Sequence, residues 1–209
     1  MTPFPKPIAD YYSEKVSRFG ATPQGADWNG AGGQVLRFSV LMRLLGGGAG
    51  IPSLDDYGCG YGALMDYLRA NGPSVDYLGV DAAARMVEEA RRAHPGDEAR
   101  FVEGTRSPRR SLYAVASGIF NVRLGIPDKE WEDHVVETLD AMNRSTTHGF
   151  AFNCLSTRSD PPLRKAYLYY GDPRLYLELC KQRHSAKVTL VEDYGLHEFT
   201  LIVRKDPGP

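Results

Sequence analysis

Cysteine is scarce in this chain, with three among 209 residues, at Cys59, Cys154 and Cys180. They are far apart, odd in number and form no C-x-x-C pair, so neither a disulfide framework nor a zinc site is expected. No apolar run approaches the ~20 residues that a membrane-spanning helix requires. The opening Met1-Thr-Pro-Phe-Pro-Lys-Pro carries no signal-peptide core, and a soluble cytoplasmic protein is expected. Neither sign of charge is in excess, with 25 Lys plus Arg against 26 Asp plus Glu. That balance leaves no footprint for nucleic acid or an acidic membrane, and neither is expected as a partner. Repeats and low-complexity segments are missing as well. The length suits a single α/β unit with a large core.

What is present is concentrated in one stretch, Ser53-Leu54-Asp55-Asp56-Tyr57-Gly58-Cys59-Gly60-Tyr61-Gly62-Ala63-Leu64. A short run ends in acid, three glycines alternate with other residues, and helical spacing begins at once through Leu64, Met65 and Leu68. A strand, a tight loop and a helix are expected. Such a loop lets backbone approach a ligand, and the free N–H groups of the first helical turn favour an anionic group. About 20 residues on, Tyr77-Leu78-Gly79-Val80-Asp81 reads as a second strand ending in a carboxylate, where a doubly wound sheet holds a ribose diol. The competing account of Asp81 is a cap on the helix that follows.

Asp56-Tyr57-Gly58-Cys59-Gly60-Tyr61-Gly62 resembles the D-x-G-C-G-x-G loop of class I S-adenosylmethionine-dependent methyltransferases, and Gly79-Val80-Asp81 resembles their ribose-binding strand end. The resemblance implies S-adenosylmethionine as cofactor, with S-adenosylhomocysteine as product. It implies cofactor contacts at Asp56, Tyr57, Gly58, Cys59, Gly60, Gly62 and Asp81, with Cys59 as a small residue rather than a nucleophile. In that family an acid after the third strand often bonds the adenine amino group; here Glu103-Gly104-Thr105-Arg106 puts Thr105 in its place. Thr105 and Ser117 complete the cofactor set. A nicotinamide dinucleotide oxidoreductase is the alternative, since Gly58-x-Gly60-x-x-Ala63 fits G-x-G-x-x-A. The acid two residues before Gly58 and the ~50 residues ahead of the first strand count against it. A non-catalytic module that keeps the cofactor fold is the third possibility.

In chain order, a proline-rich stub precedes a helix over residues 8–19, then a loop carrying Trp28. A second helix covers about 34–45, and Gly46-Gly-Gly-Ala-Gly breaks it. Residues 1–50 are read as cap helices and lid, and 51–209 as the methyltransferase unit. Arg37 is read as part of a solvated helix face, with contact to the cofactor carboxylate as the alternative. Further on come a helix at 82–92, strands at 99–103 and 112–120, an amphipathic helix at 131–142 and a strand at 149–155. Asp172-Pro173 starts another helix, and strands 187–193 and 197–203 close the chain as an antiparallel hairpin. The fold expected is a Rossmann-like, doubly wound, mostly parallel seven-stranded sheet, which in the resembling family has the order 3-2-1-4-5-7-6.

Ligands of such a sheet bind outside the carboxyl ends of its parallel strands. The acceptor candidates are therefore Trp28, Asn121, Arg123, Asn153 and Tyr194. His197 is the candidate base by its unperturbed pKa, should the acceptor need one. No repeated His/carboxylate spacing points to a metal. The N-P-P-Y-like motif of DNA amino-methyltransferases is replaced by Ser117-Gly118-Ile119-Phe120-Asn121, so a small-molecule acceptor is expected.

Overall fold

The computed structural model describes residues 6–28, 30–46 and 50–206. The proline-rich stub and most of the Gly46–Gly50 breaker lie outside the described residues. Seven strands form one sheet in the order β3-β2-β1-β4-β5-β7-β6. They are β1 Ser53–Tyr57, β2 Asp76–Asp81, β3 Phe101–Glu103, β4 Ser111–Ala116, β5 Thr146–Leu155, β6 Lys187–Val191 and β7 Glu198–Arg204. Only β7 runs against its neighbours β5 and β6. The order and the closing hairpin are those expected from the sequence.

Side chains of a strand alternate between faces, and β1 shows how two layers follow. Leu54 packs on one face with Phe38, Leu64 and Val87, from α2 Ala31–Leu41, α3 Ala63–Asn71 and α4 Ala84–Ala93. Tyr57 packs on the other with Trp131 and Tyr176, from α5 Asp128–Ser145 and α6 Pro173–Arg183. The first helix, α1 Lys6–Phe19, joins both layers: Ile8 enters the α5 side, and Val16 meets Ala83 and Met86 beside α4. No helix among the described residues is long and apolar enough to cross a membrane.

Boundaries differ from the sequence reading where local chemistry overrides pattern. The fourth strand stops at Ala116, because Gly118 takes a φ of +74° and turns the apolar Ile119-Phe120 inward as loop. The fifth helix extends to Asp128, where acids in its first turn complement the helix dipole. The second helix starts at Ala31 and runs through Gly32 and Gly33.

The link from β3 to β4 has no helix. A parallel crossover usually needs a dozen or more residues, whereas residues 104–110 make this one. They cross the sheet on the Tyr57 face: Ser107 N–H donates to Tyr57 Oη (3.2 Å) and Arg109 Nε pairs with Asp55 (2.7 Å). With no helix in that crossover, α5 reaches the end of β1, where Tyr57 Oη and Ser145 Oγ lie 3.1 Å apart.

Candidate active site

The glycine loop is locked to β2 before any ligand is considered. Gly58 and Cys59 N–H donate to Val80 O, at 2.7 and 3.2 Å, and Gly60 N–H donates to Asp81 Oδ2 at 2.9 Å. These N–H groups are spent on the sheet, so the loop offers shape and close approach rather than free donors at 58–60. Gly58 needs to be glycine: its φ is +71°, and a Cβ would sit 2.1 Å from Ile119 Cγ2. Gly62 opens α3 and is packed under His94 and Phe101, away from the cavity walls.

Asp81 does two jobs at once. Its Oδ1 accepts from Ala83 N–H at 2.8 Å, the bond of an Asx turn just ahead of α4, whose cap position is Ala83 itself, and its Oδ2 holds Gly60. Each carboxylate oxygen retains a lone pair for a further donor. Burial pushes its pKa up, opposed by those two backbone donors. Asp56 lies on the same face of the sheet, since its register partner Gly79 is two residues from Asp81; it accepts from Tyr77 Oη (2.9 Å), and burial raises its pKa to about 7. Burial also lifts the Cys59 thiol, which suits a packed side chain and not a thiolate nucleophile.

Two cavities meet at the carboxyl edge. One, of about 130 Å³, lies between Tyr57, Gly58, Gly60, Asp81, Thr105 and Ser117 on the strand ends and a stripe of α5. The Ser117 Oγ is buried there without a hydrogen-bond partner. The second, of about 390 Å³, lies between α2, Asn121, Val122, Tyr167 and Leu168. Tyr12, Ala26, Trp28 and Gly118 line both.

A closed network fixes that shared wall. The Arg37 guanidinium stacks 4.1 Å from the Trp28 ring centre and pairs with the buried Glu198 through Nε, at 2.9 Å. The other oxygen of Glu198 accepts from Asn153 Nδ2 (3.0 Å) and Tyr194 Oη (3.1 Å). Asn153 Oδ1 in turn accepts from Gly118 N–H at 2.8 Å. Gly118 closes the circuit under Trp28, where a Cβ would fall 2.2 Å from the indole. Arg37 is thus an interior residue, 11% exposed, and the solvated-face reading of it is corrected. Arg37 and Trp28 were both picked out in the sequence; their partner Glu198 was not.

Other acceptor candidates separate into wall and scaffold. Trp28 and Asn121 line the larger cavity, and Asn121 Oδ1 also accepts from Leu155 N–H. Asn153 and Tyr194 both hydrogen-bond Glu198 and stand outside both linings. Arg123 is turned to the carbonyls of Ile126 and Leu168 and to Asp128, outside both linings. His197 is not brought to either cavity: it is exposed, and its carbonyl accepts from Ser156 N–H and Ser159 Oγ. The hairpin does turn at the carboxyl edge, but only Leu196 of that turn reaches a cavity wall. Missed instead were His134, Glu137, Thr138 and Ala141 of α5, which line the smaller cavity. Their signal was a half-polar stripe at helical spacing beside the apolar one.

Sheet order, edge cavities and the strand-end carboxylate together define a Rossmann-like α/β protein. A methyltransferase-domain family model matches residues 56–110. Rv1506c of Mycobacterium tuberculosis, which is named as a methyltransferase, is 49% identical over 154 residues, 73% of this chain and 93% of that protein. The chain belongs to this methyltransferase family. Among solved structures, the magnesium protoporphyrin IX methyltransferase of Synechocystis with bound S-adenosylhomocysteine superposes with a TM-score of 0.62 at 12% identity, covering 83% of this chain and 84% of that one. The DhpI–S-adenosylhomocysteine complex gives 0.63 at 14%, covering 97% and 96%. Both share the fold. Membership sets the nicotinamide oxidoreductase alternative aside.

Proposed function

We infer that this chain moves the methyl group of S-adenosylmethionine to a small-molecule acceptor, holding the two in adjoining cavities. The observation that carries the reading is the shared wall at Trp28 and Gly118, which joins a glycine-loop cavity to a larger one at the same sheet edge. The residues fit the cofactor. Asp81 keeps acceptor capacity for ribose hydroxyls, Gly58 and Gly60 turn the loop at positive φ with no Cβ in the way, and Ser117, whose Oγ has no hydrogen-bond partner, lines the same cavity. When bound, the cofactor supplies an electrophilic sulfonium methyl. The protein's part is then to hold donor and acceptor in line and keep water out.

Trp28 and Asn121 are the acceptor-facing side chains in this reading, while Asn153, Tyr194 and Glu198 hold the wall in place. The segment ahead of β1 serves as the cap, since α1 and α2 supply Tyr12 and Arg37 to the cavity linings. The working compartment is the cytoplasm, where the buried free thiols Cys59, Cys154 and Cys180 stay reduced. Incubation with methyl-labelled cofactor and fractionated metabolite pools, read by mass spectrometry, should yield a labelled small molecule. Label found only on macromolecules, or no binding of either cofactor form by calorimetry, would sink the reading.

A further inference from the structure

The larger cavity differs in chemistry from the smaller one. Its lining is apolar at Val122, Leu155, Leu168 and Leu196, and it carries the rings of Trp28 and Tyr167. About 390 Å³ is the scale of a small-molecule site. The charges on that lining are mostly positive. Lys165 Nζ lies 5.8 Å from the Tyr167 ring centre and has no hydrogen-bond acceptor or acidic partner among the described residues. Asp27 is the one acid on the lining among the described residues. Its oxygens already accept from Lys15 Nζ and Tyr11 Oη, each at 2.7 Å.

Arg37 is the second cation on the lining, and only part of its planar fork is in use. Nε is spent on Glu198, and one face of the guanidinium lies on Trp28. Nη1 and Nη2 have no hydrogen-bond acceptor among the described residues, although the side chain is largely buried. Nη1 stands at the lining itself: a Cβ on Gly33, a lining residue, would fall 3.1 Å from it. Such an edge matches the two oxygens of a carboxylate. Glu198 offsets the charge of Arg37 but takes none of these Nη donors, and the charge of Lys165 stands unopposed. The first turn of α2 adds backbone donors on the same lining, since its cap Gly30 has no side chain to satisfy them and the turn holds no acid. We propose that the larger cavity receives an acceptor bearing a carboxylate on a small apolar ring, with the carboxylate set against the Nη1–Nη2 edge of Arg37. The assignment deepens the adjoining-cavity reading above and rests on it.

The test uses the full chain. Calorimetry first measures binding of S-adenosylhomocysteine, and the loaded protein is then titrated with benzoate, phenylacetate and their primary amides by ligand-observed NMR. The acids should bind at least about tenfold tighter than the amides, the scale of one charge-assisted hydrogen bond. In Arg37→Lys that ratio should fall to within about threefold, because an ammonium drawn to Glu198 offers no fork to a second carboxylate. Affinity for the amides should stay put, a split that a merely loosened fold would not give. Lys165→Gln, at an exposed position, should lower the ratio by about threefold and keeps the proposal testable if Arg37→Lys fails to fold. Acids and amides that bind equally, acids that do not bind at millimolar concentration, or a ratio untouched in either variant would overturn the assignment and leave the cofactor reading standing. So would an Arg37→Lys variant that loses affinity for S-adenosylhomocysteine but not for methylthioadenosine, which lacks the amino-acid carboxylate; Arg37 would then hold the cofactor instead. Wild type that binds no S-adenosylhomocysteine removes the cofactor reading itself, and this assignment with it.

Discussion

Asp56 sits beside the glycine loop on the α3 face, 2% exposed, with the Tyr77 hydroxyl as its donor. Burial, and to a lesser extent the charges of Asp81 and Asp55, raise its pKa from the ordinary 3.8 to about 7. The folded protein therefore binds a proton that the unfolded chain has released, between about pH 4 and 7. Stability from this group falls as pH rises through that window and levels off above it. Asp56→Asn has no such proton to lose. Relative to wild type it should gain about 2–3 kcal/mol between pH 5 and pH 8, at about 1.4 kcal/mol per pK unit. Urea unfolding of the ligand-free proteins at both pH values measures this; a difference that does not change with pH refutes it. The sequence marks Asp56 as part of a cofactor loop, yet its facing is set by strand alternation and a tyrosine 21 residues away. Side-chain identity was legible at the site, and partnership across elements was not. Glu198, which gathers Arg37, Asn153 and Tyr194, is the plainest case: a lone Glu at the start of an apolar strand signals nothing until its neighbours are in place.

Among the elements, the seven-residue crossover between β3 and β4 shapes the site most. Its anchor is Arg109, which pairs with Asp55 (2.7 Å) and with Asp76 (2.7 Å) and donates to Asp76 O. Asp55 is fully buried, and its Oδ2 has no hydrogen-bond partner. Arg109→Met strands that carboxylate and should cost about 2–4 kcal/mol, at or below the range for breaking a buried pair because Arg109 keeps some solvent access. Combining it with Asp55→Leu should recover a large part of the loss, since no charge is then left unpaired. Denaturant midpoints of the single and double variants test both claims, and a double variant weaker than the single would refute the second. Strand order was legible through the family resemblance, and the closing hairpin because its two apolar runs stand too close for a crossover, although the turn covers residues 192–197 and not the three expected. The bounds of β4 were not: Ile119 and Phe120 continue an apolar run, and only the backbone at Gly118 shows that the strand has ended. The ends of α5 were missed for the opposite reason, because its first and last turns are polar and carry no pattern.

At the scale of the molecule, the segment ahead of β1 contributes to both cavities at the carboxyl edge of the sheet, and Trp28 stands where the two join. It is one of only two tryptophans in the chain. The other, Trp131, is a fully buried residue of α5 and donates its indole N–H to Phe120 O at 2.9 Å. A ligand in either cavity therefore changes the surroundings of the Trp28 indole directly, whereas it reaches Trp131 only through His134, which lines the smaller cavity with its ring 5.1 Å from that indole. Binding of S-adenosylhomocysteine should shift or quench the intrinsic fluorescence of wild type. Trp28→Phe should lose that change while calorimetry still registers binding, since the Asp81 end of the cavity is untouched. The argument depends on Trp28 being held in place by Arg37 and Gly118, so Arg37→Met should broaden and weaken the wild-type signal without abolishing it. A ligand-dependent change that survives in Trp28→Phe would place the response at Trp131, reached through His134 at the α5 side of the smaller cavity rather than through the shared wall.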